Sequence, residues 1–137
     1  MLIHSIQLKN FLSFGASPGA VPLGPLNVII GPNGSGKSNL LESIALLQSA
    51  PEQLLKPIRE GGGVRDWLWK GGSGTPVASL DVVLSNPKGP QPLRYCLDFT
   101  EVGQRFQIVD ERIENEKPAS KKHPQAYFYY HFNNGRP

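Results

Sequence analysis

The residues best suited to chemistry lie together from Gly31 to Ser38, Gly-Pro-Asn-Gly-Ser-Gly-Lys-Ser. They match the Walker A phosphate-loop pattern G-x-x-x-x-G-K-[ST] at every position. A polyphosphate carries several negative charges that must be held without a crowd of side chains. Backbone N–H groups do this when the chain curls so that they converge on one centre, and Gly31, Gly34 and Gly36 permit that curl. A helix beginning near Lys37 adds its unpaired N–H groups and the positive end of its dipole. Lys37 supplies a mobile point charge for the β- and γ-phosphates. Ser38 offers a hydroxyl to Mg2+ and is the expected metal ligand. Pro32, Asn33, Ser35 and Asn39 complete the expected binding loop, with ATP and Mg2+ as its cofactors.

The flanks of this loop must position it. Leu26, Val28, Ile29 and Ile30 form a short apolar run rich in β-branched residues, which predicts a buried strand leading in. After Lys37, apolar residues fall at Leu40, Leu41, Ile44 and Leu46 or Leu47, a helical period running to about Ala50. Pro51 closes that helix or starts a new turn. A glycine-rich turn carrying a chance Lys-Ser would not come with both flanks.

Around this centre the rest of the chain reads as follows. Residues 2 to 8 predict a strand with Ile6 and Leu8 on one face and Ser5, Gln7 and Lys9 on the other. Residues 15 to 25 read as loop. Glu52 to Lys56 predict a helical turn or more. Gly61 to Gly63 and Gly71 to Gly74 bracket Val64 to Lys70. Trp67 and Trp69 in that segment read as anchors for a glycine-rich loop, rather than as a base-stacking or partner surface. From Val77 the period changes to two, and residues 77 to 132 predict mostly antiparallel strands. Asn133-Asn134-Gly135 is a hairpin signal followed only by Arg136-Pro137, so the returning strand is expected beyond residue 137 and the chain reads as the front of something longer. The expectation is one domain over 1–137: a nucleotide-binding core to 50, a glycine-rich connection over 51–76, and a β meander over 77–137.

Composition bounds the function classes. The 137 residues are 39% apolar and 18% charged, which is globular rather than disordered. A net charge of +3 permits nucleic acid as a partner without arguing for it, since no basic run is longer than Lys121-Lys122. Cys96 is the sole cysteine, which excludes an internal disulfide and a cysteine-based metal site. No signal peptide and no 18-residue apolar stretch is present, so a cytoplasmic protein with no membrane contact is expected. His4, His123 and His131 lack metal-type spacing, and the guanine-reading Asn-Lys-x-Asp is absent.

Phosphate-loop ATPases also need a carboxylate for Mg2+ at the end of an apolar strand. Phe106 to Glu111 imitates that pattern, and Val102 to Arg105 imitates a glycine-glutamine signature. The signature should open a helix that precedes the acidic strand, and no residues lie between the two here. Asp110 also falls in an alternating run, so Asp110 and Glu111 are expected as solvated acids of a meander strand. No convincing catalytic residue is found in this chain.

Ile6 to Phe14, Ile-Gln-Leu-Lys-Asn-Phe-Leu-Ser-Phe, and Leu26 to Ile44 together resemble the RecF/SMC-like branch of the ABC ATPases, which includes predicted AAA-type ATPases. The resemblance implies an α/β P-loop NTPase fold: the N-terminal lobe of an ABC ATPase head with an antiparallel β-subdomain. It implies ATP hydrolysis when the head is complete, in DNA repair or chromosome maintenance. ATP would lie between two heads of a homodimer, with DNA open as a further partner. It also implies that Lys9, Asn10 and Phe11 line the base and ribose, although Leu12 stands where the family often has a basic residue. The signature motif, the acidic strand and the switch histidine have no counterparts in this chain, so by itself it is not expected to be a competent ATPase. The alternative readings are a P-loop nucleotide-binding or regulatory module that never hydrolyses, and another phosphate-loop enzyme such as a kinase.

Overall fold

The alternation that begins near residue 77 produces long strands because apolar side chains can then share one face. In the computed structural model, which describes residues 2–17, 19–118 and 120–133, these strands are β3 (Ala78–Leu84), β4 (Leu93–Val102), β5 (Arg105–Asn115) and β6 (Phe128–Asn133). They follow β1 (Ile3–Lys9) and a three-residue β2 (Ala20–Pro22) that lies within the stretch expected as loop. All pairings are antiparallel, in the order β2-β1-β3-β4-β5-β6. The turn between β4 and β5 is Gly103-Gln104, both at positive φ (56° and 64°), which matches the right-handed twist of a tight hairpin. The hairpin expected at Asn134-Gly135 lies outside the described residues.

One face of this sheet is apolar and faces three helices. Ile6, Leu8, Leu80, Val82, Leu97 and Phe99 are essentially removed from water. Helix α1 (Lys37–Gln53) buries Leu40, Ser43 and Leu46. The Ser43 hydroxyl is satisfied within the helix by donating to the Leu40 carbonyl at 2.6 Å. Leu41 points to solvent instead of joining the apolar stripe. Pro51 does not end α1, which continues to Gln53. Helices α2 (Leu55–Glu60) and α3 (Val64–Trp67) follow and add Ile58, Val64 and Trp67 to the core.

The tryptophans act as anchors. Trp67 meets Phe11 edge to face at 5.7 Å, and Phe11 meets Phe99 in the same way at 6.1 Å. The Trp69 ring covers Gly15 and Gly71, and an added Cβ at Gly15 would come within 3.3 Å of that ring.

The other sheet face is polar. The register aligns Gln7, Asp81, Cys96, Arg112 and His131 in one row across five strands. Arg94 donates to both carboxylate oxygens of Asp81 and reaches Glu114 at 3.3 Å. Arg112 pairs with Asp110, and His131 Nε2 lies 2.8 Å from Asp110. Asp110 is therefore not a solvated acid. It is 8% exposed and held by two neighbours on the open face. Glu111 is likewise engaged, accepting from the Tyr95 hydroxyl at 2.7 Å and the Tyr130 hydroxyl at 3.2 Å. Burial, reinforced by the neighbouring Asp81, pushes the Cys96 thiol up to about 12, so it stays protonated and inert.

The lead-in to the phosphate loop departs from expectation. Residues 27–30 form no strand, and Leu26, Val28 and Ile30 are 88%, 79% and 88% exposed. A strand needs a partner for its backbone groups, and both sides of β1 are taken, by β2 and β3. The open edges of the sheet are those of β2 and β6, and this run pairs with neither.

Phe11→Ala should lower the free energy of unfolding by about 3–5 kcal/mol, because the ring sits at the centre of the aromatic cluster. Urea denaturation measures this; an unchanged midpoint would contradict the assigned packing.

Candidate functional site

Gly31 to Ser38 form a curl that only glycine fits at key points. Gly34 and Gly36 have φ of 81° and 92°, the left-handed region that L side chains rarely enter. Gly31 has an ordinary φ, and a Cβ there would stand 2.6 Å from Ser35 Oγ, so that hydroxyl would have to turn aside. Gly36 also caps α1, and no side chain caps that end. No acidic residue occupies the first turn of α1. The N–H groups at the start of the helix are thus left for an anion from outside the chain.

Lys37 folds over this curl. Its Nζ donates to the carbonyls of Gly31 and Pro32, the latter at 2.7 Å, and lies 3.3 Å from Ser35 Oγ. These contacts place the ammonium across the loop, within the reach of the four-carbon stem. Asn33, Gly34, Gly36, Lys37, Ser38 and Asn39 line a hollow of about 200 Å³. Its chemistry is one cation, backbone amides, two side-chain amides and the exposed Ser38 hydroxyl. No carboxylate lines it, so Ser38 is its one oxygen donor of the kind Mg2+ takes from a phosphate loop. Among the described residues no group of three His, Cys, Asp or Glu side chains is placed to hold a metal ion by itself. The donor set fits a polyphosphate, and a Mg2+ ion that takes most of its remaining ligands from phosphate and water.

The structure separates the other expected site residues. Lys9 is exposed at the end of β1 and borders a hollow on the polar sheet face with Asp81, Arg94 and Asp98. The Asn10 side chain donates to the Val77 carbonyl at 3.1 Å. Phe11 is fully buried, so its ring is a core group. What reaches the loop from this segment lies two residues further on. Asn39 Nδ2 donates to Ser13 Oγ at 2.6 Å, and a Cβ on Gly36 would lie 3.1 Å from Ser13 Oγ and 3.8 Å from the tip of the Phe14 ring. The Asn-Phe-Leu-Ser-Phe run carried the signal, but its alternation does not reveal that the turn aims Ser13 rather than Asn10 at the loop. Asp110 and Glu111 belong to the sheet networks and line neither this hollow nor the loop.

Gly36→Ala should destabilise the protein by about 1–2 kcal/mol, the cost of a left-handed L residue, with crowding against Ser13 added. Gly19→Ala is the control, with open space around it and no positive φ. Thermal unfolding should show a loss for Gly36→Ala alone; equal stability of the two variants would contradict the described curl.

Comparison with known proteins agrees with this geometry. Residues 26–133 match the family model described as "AAA domain, putative AbiEii toxin, Type IV TA system". The chromosome partition protein Smc of Mycolicibacterium paratuberculosis is 36% identical over 99 residues, 69% of this chain and 8% of that protein. Smc of Mycobacterium tuberculosis is 35% identical over 104 residues, 74% of this chain and 8% of the relative. The chain thus spans about 8% of the length of these curated relatives. A solved SMC ATPase, from a study of ATP-driven dimerization and DNA-stimulated activation, superposes with a TM-score of 0.58 at 20% identity, covering 78% of this chain and 72% of that one. The shared fold is that of a P-loop NTPase lobe with an antiparallel sheet. The chain belongs to this AAA-domain family, within the SMC- and RecF-like ABC ATPases.

Proposed function

We propose that the loop from Gly31 to Ser38 binds the triphosphate of ATP together with Mg2+, and that this chain serves as the nucleotide-binding part of an SMC-like ATPase head. One observation carries the reading: glycine-dependent backbone curls in front of an uncapped helix start, with the Lys37 ammonium across it. Backbone amides and the helix dipole then meet the phosphate oxygens, and Lys37 exchanges its carbonyl partners for the β- and γ-phosphates. Ser38 would supply a hydroxyl to the metal. Mg2+, when bound, neutralises phosphate charge and fixes the orientation of the terminal phosphoryl group.

Hydrolysis requires more than this cradle. It needs a positioned water and positive groups on the far side of the γ-phosphate. In our reading a second head supplies them in a head-to-head homodimer. The ATP-driven dimerization and DNA-stimulated activation of the SMC ATPase with this fold support that view, with DNA as a further partner of the complete protein. A phosphate-loop module that binds nucleotide without hydrolysing it shares the same cradle and differs in turnover alone.

Calorimetric titration with Mg·ATP tests the reading. Lys37→Ala should weaken binding by about 2 kcal/mol, roughly thirtyfold, through loss of charge-assisted hydrogen bonds. Ser38→Ala should remove most of the benefit of added Mg2+ and leave metal-free binding nearly unchanged. Equal affinities for wild type and Lys37→Ala would overturn it.

A further inference from the structure

The loop's lead-in makes no strand pairing among the described residues, so something else must hold its curl in place. The turn over residues 10–15 is built for that. Asn10 N–H donates to the Gly15 carbonyl at 3.0 Å, and Phe11 and Phe14 exchange backbone hydrogen bonds at 3.0 and 2.9 Å. The turn is tied from outside as well. Leu12 N–H donates to the Trp67 carbonyl at 2.8 Å, Trp69 N–H donates to the Asn10 carbonyl at 3.0 Å, and the Asn10 side chain holds the Val77 carbonyl. Phe11 is its buried foot, wedged between Trp67 and Phe99. Asn10 and Leu12 sit at φ of 49° and 50°, a conformation that costs non-glycine residues energy and persists where the surroundings over-determine it. The tip of this braced turn is Ser13, and its hydroxyl takes the Asn39 amide proton at 2.6 Å.

Asn39 is the third residue of α1 and lines the phosphate hollow. The first hydrogen bond of the helix, Leu40 N–H to the Gly36 carbonyl at 3.0 Å, spans the same turn. We infer that Ser13 is a positioning residue for the nucleotide site: through Asn39 it locks the first turn of α1, keeping the Lys37 and Ser38 N–H groups aimed into the hollow. The inference rests on the ATP reading for its functional consequence, but the lock itself is a property of the protein without ligand. It acts on the phosphate subsite and is indifferent to the base.

The test compares wild type, Ser13→Ala and Ser13→Thr. Affinities are measured for Mg·ATP, Mg·GTP and inorganic tripolyphosphate, and amide hydrogen exchange at Leu40 is measured without nucleotide. Loss of the one hydrogen bond should weaken all three ligands by a similar factor, about fivefold, and speed exchange at Leu40 by about the same factor. Ser13→Thr, which keeps the hydroxyl, should restore both. Unchanged exchange and affinity in Ser13→Ala would overturn the inference. So would a loss confined to ATP, which would make Ser13 a base contact. If wild type bound none of the three ligands, the ATP reading would fall, and exchange at Leu40 would decide the lock by itself.

Discussion

The loop from Gly31 to Ser38 holds its backbone in a curl that ordinary residues resist, and the polyphosphate binding proposed for it depends on that constraint. Gly34 and Gly36 accept the dihedrals, and Gly31 accepts the close approach of Ser35. The curl gains nothing from a buried lead-in strand here, because residues 27–30 are unpaired. It is held from the opposite side, by α1 behind it and by the braced turn over residues 10–15 beneath it. The edge-to-face cluster of Phe11, Trp67 and Phe99 therefore has a consequence beyond core stability. It fixes the turn that meets the loop.

The two faces of the sheet divide the labour. The apolar face packs α1 to α3 and so places the start of α1. The polar face is a lattice of ion pairs and hydrogen bonds spanning β3 to β6, in which Asp81, Arg94, Glu114, Arg112, Asp110 and His131 each touch a neighbour. Such partly exposed pairs contribute little each. Their register still matters, since a one-residue slip would bring these charges to the apolar face. The lattice engages Asp110 and Glu114, while Glu111, on the opposite face of β5, accepts from the Tyr95 and Tyr130 hydroxyls.

Much of this was legible in the sequence for a local reason. The glycine-rich turn, the start of α1 at Lys37 and the meander after residue 77 are each written in short-range pattern: glycine spacing, a 3.6 period, a period of two. The role of the tryptophans as anchors followed from glycines on both sides. What failed depended on non-local facts. The apolar run 26–30 has strand composition, but pairing requires a neighbour that β2 and β3 leave no place for beside β1. Asp110 looked solvated because alternation puts it on the open face, and only the register reveals Arg112 and His131 beside it. Ser13 was hidden by geometry: its contact with Asn39 depends on a turn that two left-handed residues, Asn10 and Leu12, shape.

The central claim is that residues 31–39 form a preorganised cradle for a triphosphate. The most direct measurement is a titration of the isotope-labelled protein with tripolyphosphate, following every backbone amide by nuclear magnetic resonance. The account predicts saturable shifts that are largest at the amides of Gly34, Gly36, Lys37 and Ser38, with the sheet amides nearly still. Shifts concentrated at Lys9, Arg94 and Arg112 on the polar sheet face, or no saturable shift in the loop, would contradict it.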